Sequence, residues 1–141
     1  MSMHRNLEEK LIIALRVSLG LIFLWFGLIK VAGYQTVYHI IKASFPMLAT
    51  GRGYMILGLV EAVIGLGLIT NVCRKLTHIA LVLHLLGTLT VFLVSPQMMF
   101  QPYFPILTLE GEFVVKNITL LAAGLVTMMH QKNSFTSPKR F

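Results

Sequence analysis

Glu61, His84, Lys116 and Asn117 are the residues of this chain with most chemistry to offer, because each lies in a run that is otherwise apolar. A carboxylate near the middle of a hydrocarbon layer costs about 2.5–3.5 kcal/mol on insertion scales, so Glu61 has to be protonated, hydrated or paired. Depth selects its partners. At ~1.5 Å per helical residue, Glu61 lies roughly 10 Å below the outer surface of its span, Lys116 roughly 5 Å and His84 roughly 18 Å. His84 and Lys116 are therefore the expected partners of Glu61, while Arg16 and Lys30, nearer their span ends, are expected to snorkel to opposite surfaces. Asn117 is placed to bond across a helix interface.

One carboxylate, one imidazole, one ammonium and one amide suit the holding of a proton or hydrogen bonds to a carbonyl ligand. They do not make a metal centre: a catalytic metal takes three protein ligands as a rule, and Glu61 with His84 supplies two. A haem held by two histidines lacks its second histidine at matching depth. No nucleophile motif, phosphate loop or dinucleotide fingerprint is present. An apolar cleft with one or two carbonyl-binding groups is what a quinone asks for, and Glu61, His84 and Lys116 meet that requirement.

The elements that hold these residues are apolar runs at 11–31, 54–72, 76–94 and 113–129. Each is close to the ~20 residues that cross a bilayer as a helix, and in lipid a helix is what satisfies the backbone. The predicted fold is all-α: a polytopic bundle of four transmembrane helices. Within 32–53, Val37, Ile40, Ile41, Phe45 and Leu48 recur at helical spacing, which predicts a short amphipathic helix on the outer interface, broken near Pro46. Thr50, Gly51 and Gly53 form the turn into the second span. The short link 71–75 makes spans two and three antiparallel neighbours. Segment 95–112 contains Pro96, Pro102 and Pro105 and reads as an extended outer loop, with Thr108 as N-cap of the last span. Helical stripes collect small and polar residues: Arg16, Gly20, Phe23, Gly27 and Lys30 on the first span; Gly58, Glu61 and Gly65 on the second; His84, Thr88 and Val91 on the third; Glu112, Lys116, Thr119 and Ala123 on the fourth. Residues 1–10 read as a polar lead, 11–130 as the membrane domain and 131–141 as a polar tail.

Charge and composition fit that plan. Of 141 residues 56% are hydrophobic and 12% charged, and the formal net charge is +7. Arg5, Lys10, Arg74, Lys75, Lys132, Lys139 and Arg140 share one side of a four-span chain, which the positive-inside rule makes cytoplasmic, with both termini. The basic excess is thus topological and gives no reason to expect a nucleic-acid partner; the bilayer is the expected one. The other side collects Tyr34, Tyr38, Tyr54 and Tyr103, an interfacial belt. His4, His39, His78 and His130 fall near interfaces and are expected to be solvated. The first run is too long for a cleaved leader and lacks a small-x-small site, so it is expected to stay as an anchor. Cys73 is the single cysteine, which excludes thiol–disulfide chemistry within the chain.

The stretch from Arg16 to Lys30, with its Phe26-Gly27-Leu-Ile-Lys30 ending, resembles the opening of DoxX-like membrane proteins. Glu61 in a Gly-rich second span is similar to theirs, and Leu107-Thr-Leu-Glu110-Gly111-Glu112-Phe-Val-Val-Lys116-Asn117 resembles their C-terminal signature. The resemblance covers about 11–130 and implies a four-helix bundle near the vitamin K epoxide reductase-like and methylamine-utilisation redox proteins. It implies a small inner-membrane subunit, quinone-associated or accessory, in a redox complex with other membrane subunits or as a homo-oligomer. The missing cysteine pair departs from the thiol-active branch. Two other classes stay open: a transporter or permeability factor for a small solute or proton, and a non-catalytic assembly factor that docks through the outer segments.

Overall fold

The computed structural model describes residues 2–136, with side chains over 3–130. The elements are α1 (Ser2–Val31), α2 (Tyr38–Ser44), α3 (Gly51–Thr70), α4 (Arg74–Leu89), α5 (Val91–Val94), α6 (Pro96–Met99) and α7 (Leu109–Thr136), with a 3-10 turn at Pro46–Leu48. Among the described residues, four stretches are long and apolar enough to cross a membrane: Met3–Val31, Gly51–Thr70, Arg74–Val94 and Leu109–His130. Leucines and valines such as Leu21, Val63, Leu83 and Val126 cover their outward faces. A chain built this way is a multi-pass membrane protein, all-α, with the four spans bundled.

Local chemistry sets the ends of these helices. Gly33 has φ of 91°, the left-handed conformation that lets the amides of Gly33 and Tyr34 turn back onto the carbonyls of Lys30 and Ile29, at 3.0 and 3.1 Å. That pair of bonds stops α1 immediately after Lys30. Thr50 caps α3 by accepting a bond from the Gly53 amide at 3.1 Å. Asn71 and Cys73, both at positive φ, make the tight turn that sets α4 antiparallel to α3.

Helices α1 and α3 form the tightest pair. A Cβ added to Gly27 would meet the Gly58 carbonyl oxygen at 2.5 Å, and one on Gly58 would meet the Gly27 carbonyl oxygen at 2.8 Å. Gly20 and Gly65 face each other in the same manner one level down. The backbones touch because these four positions carry no side chain. A core of Leu19, Phe23, Ile64, Leu68, Leu81 and Leu85 fills the bundle centre. A second core of Ile40, Val91, Met99 and Val114 lies under α2 and the 95–108 connection.

Several sequence expectations change here. Helix α1 begins at Ser2, so the polar lead is the first turns of the first span's helix. Helix α7 continues to Thr136, and the last five residues of the expected tail fall outside the described residues. The 95–112 segment is compact, not extended. Pro96 starts α6, Phe100 pairs with Leu107 in an antiparallel bridge, and the Thr108 hydroxyl donates to Met98 O at 2.7 Å. The same Thr108 oxygen accepts from the Gly111 amide at 3.0 Å, the N-cap expected of it. Thr108→Ala is expected to cost about 1 kcal/mol and to speed amide hydrogen exchange through 98–111, measured by mass spectrometry. Helix α7 also presents a different face from the stripe predicted for it. Gly111, Val114, Asn117, Gly124 and Thr127 are buried, whereas Glu112, Lys116 and Thr119 are exposed.

Candidate functional site

Helix α1 brings one charged side chain to the α1–α3 seam and helix α3 brings another. Lys30 follows Gly27 by three residues, and Glu61 follows Gly58 by three. Each charge therefore sits beside the glycine contact on its own helix. Lys30 Nζ donates to Glu61 Oε2 at 2.6 Å, and only 5 and 7% of the two side chains are exposed. The glycines allow the backbone approach, and the approach puts ammonium and carboxylate within one bond.

Helix α4 adds the third member. His84 Nε2 lies 3.0 Å from Glu61 Oε1, with 12% of the side chain exposed. A carboxylate oxygen only accepts, so the imidazole donates its Nε2–H. Glu61 thus holds one donor on each oxygen. Phe23 packs edge-on against the His84 ring, with centroids 5.4 Å apart, and the Phe26 ring lies 5.9 Å from Lys30 Nζ. Each donor thus has an aromatic ring beside it.

The trio lines a cavity of about 250 Å³ between α1, α3, α4 and α7. Its walls are chiefly apolar, from Ile22, Phe26, Leu57 and Phe113 among others, and α2 closes the end with Ile40, Ile41 and Ser44. Thr88 and Asn117 supply a second polar strip. Asn117 Nδ2 donates to Thr88 Oγ1 at 2.9 Å, and the Thr88 hydroxyl donates to Leu85 O at 2.8 Å. The Ser44 hydroxyl is buried in the same wall and among the described residues has no hydrogen-bond partner, a costly condition that an incoming polar group would relieve.

Of the four residues singled out from the sequence, Glu61, His84 and Asn117 line this cavity. Lys116 lies exposed on the other face of α7 and is not part of the wall. Lys30 takes the place expected of it, and so does not snorkel. A lysine near a span end ordinarily reaches the surface. Here the Gly58 contact turns its stem inward, with Lys30 Cβ against the Gly58 position. The signal that would have found it is the matched spacing of Gly27-Leu-Ile-Lys30 and Gly58-Leu-Val-Glu61 on successive spans.

Two other expectations of exposure are overturned. His78 is 2% exposed rather than solvated. Its Nδ1 lies 2.7 Å from Arg74 O and its Nε2 3.2 Å from Thr127 Oγ1, tying α4 to α7. Arg16, expected to snorkel, is buried on the α1 face that meets α3.

No protein-family model, no curated protein and no solved structure matches this chain.

Proposed function

We propose that the cavity binds the carbonyl-bearing head of a quinone. On this reading the chain is a DoxX-like, quinone-associated or accessory subunit of a redox complex in a bacterial-type inner membrane, its termini in the cytoplasm. The observation that carries the reading is the chain of hydrogen bonds Lys30–Glu61–His84 laid along one wall of an otherwise apolar cavity. The orientation is supported by the lysines and arginines gathered at the Cys73 side of the spans.

The donor set suits the ligand. An ammonium has three N–H groups. Lys30 uses one on Glu61, which leaves two for a carbonyl oxygen. His84, with Nε2–H committed to Glu61, keeps Nδ1 as an acceptor in the neutral ring. It can therefore take a bond from the hydroxyl of a reduced head. Ser44 donates or accepts from α2. The volume of about 250 Å³ lies just below the usual 300–1,000 Å³ of small-molecule sites. That size suits a ring head whose apolar tail runs out among the spans. A bound quinone supplies two-electron redox chemistry, and the protein's part is to orient the head, exclude water and hold a proton on the Glu61–His84 pair.

The test is titration of detergent-purified protein with a short-chain ubiquinone analogue. Losing the charge-assisted bond in Lys30→Met/Glu61→Leu is expected to weaken binding about tenfold or more. Lys116→Gln, on the outer face of α7, is expected to bind as the parent does. Equal affinity of the double variant and the parent would refute the site. Flux of a small solute or protons into proteoliposomes, abolished by the same double variant, would move the assignment to transport.

A further inference from the structure

Helices α3 and α4 are in close contact near the turn that joins them and part as they run away from it. Near the turn, a Cβ added to Gly67 of α3 would meet the Thr77 hydroxyl oxygen of α4 at 2.6 Å. About two turns further on, the helices are joined only through the ends of two side chains, Glu61 and His84, at 3.0 Å. About one turn beyond that pair lie Leu57 of α3 and Gly87 of α4. A Cβ on Gly87 would have no atom of α3 within 4 Å. Among the described residues, only the Phe45 ring comes that close to it, at 3.9 Å.

This seam is part of the cavity wall. Phe45, Leu48, Leu57, Leu83 and Gly87 all line the cavity. Yet Leu83 is 64% exposed and Phe45 43%, so these two side chains face the cavity and the surrounding lipid at once. Phe45 comes from the segment that closes the end of the cavity. Its amide bonds to Ile41 O of α2 at 2.7 Å, and Leu48, three residues on, packs against the Gly53 position at the start of α3. The segment is thus held on α3, and the Phe45 ring reaches across to α4. On the α1–α7 side the Phe26 and Phe113 rings meet, with centroids 6.0 Å apart.

We propose that the gap between α3 and α4 at Phe45 is the passage by which an apolar tail leaves the cavity for the lipid, so that the ligand is a long-tailed isoprenoid quinone loaded from the leaflet on the α2 side. The proposal rests on the quinone reading of the cavity. A volume of about 250 Å³ holds a ring head and not a head with several isoprene units, so a tail has to lie outside it. A tail between Leu57, Leu83 and Phe45 exchanges lipid for side chains of the same polarity and loses little by doing so. Gly87 leaves on α4 the space that the tail takes up. Entry requires the Phe45 ring, in ordinary van der Waals contact with the Gly87 position, to turn aside.

The experiment uses the full chain in detergent and two ubiquinone analogues. One has no tail; the other has two isoprene units with a photoreactive diazirine on the first. In the parent the diazirine is expected to label Phe45, Leu57, Leu83 or Gly87, read by peptide mass spectrometry. Gly87→Leu fills the seam and is expected to weaken the tailed analogue about tenfold relative to the tailless one. Phe45→Ala opens the seam and is expected to speed association of the tailed analogue. Labelling at Phe26 or Phe113 in the parent would put the tail between α1 and α7 and overturn the passage while leaving the quinone site standing. An unchanged ratio of the two affinities in Gly87→Leu would do the same. A parent that binds neither analogue would overturn the quinone reading and the passage with it.

Discussion

Replacing Glu61 by leucine with Lys30 left in place is expected to cost about 3–5 kcal/mol of bundle stability. The cost arises because the ammonium stays where only 5% of its side chain reaches the surface, and His84 loses its acceptor too. The double variant Lys30→Met/Glu61→Leu removes both charges and keeps the volume, and it is expected to return to the parent's stability or exceed it. Unfolding in a detergent series, followed by far-ultraviolet circular dichroism, measures all three proteins. A single variant as stable as the parent would mean that Lys30 finds water or another acceptor. A double variant as unstable as the single would mean that the pair stabilises the fold by more than charge balance.

The second large effect lies in the seam that creates the pair. Gly27→Ala is expected to destabilise the bundle by about 1–3 kcal/mol. Its Cβ would sit 2.5 Å from both Gly58 O and Ala62 N. Those atoms are backbone and cannot swing aside, so the helices must separate, and the Lys30–Glu61 bond stretches with them. Gly65→Ala should behave alike, since its Cβ meets Leu24 N and Gly20 O. Gly51→Ala is the control: nothing lies within 4 Å of a Cβ there, and the added methyl is expected to change stability by less than about 0.5 kcal/mol. If Gly27→Ala and Gly51→Ala were indistinguishable, the close contact of α1 and α3 would not be the frame of the site.

Much of this was legible from residue types and spacing. Spans, their antiparallel order, the short helix before Pro46 and the Thr108 cap all follow from hydropathy runs, proline and side-chain oxygens at fixed offsets. The partnership of Glu61 with His84 followed from depth alone, because a mid-span carboxylate has few groups to meet. Lys30 was missed for a physical reason. A lysine within a turn of a helix end has two homes, the surface and the interior, and only the packing of Gly58 against its stem decides between them. Lys116, three residues inside its run, looked better placed by depth. Depth says nothing about which way a helix faces, and α7 carries small or polar residues on both faces. His78 was missed for the same reason, since an end-of-span histidine reads as wet until the neighbour that covers it, here Thr127, is known. The proline-rich connection read as extended because proline breaks helices. Its compactness depends on Thr108 and Met99 meeting across it, a contact between residues nine apart.

The quinone head proposed for the Lys30–Glu61–His84 cavity can be sought directly. Native mass spectrometry of the protein, taken gently from its own membranes, tests it most directly. An adduct of quinone mass is expected on the parent and on Lys116→Gln, and none on Lys30→Met/Glu61→Leu. A quinone adduct that survives on the double variant, or a parent that carries lipid but never quinone, would contradict it.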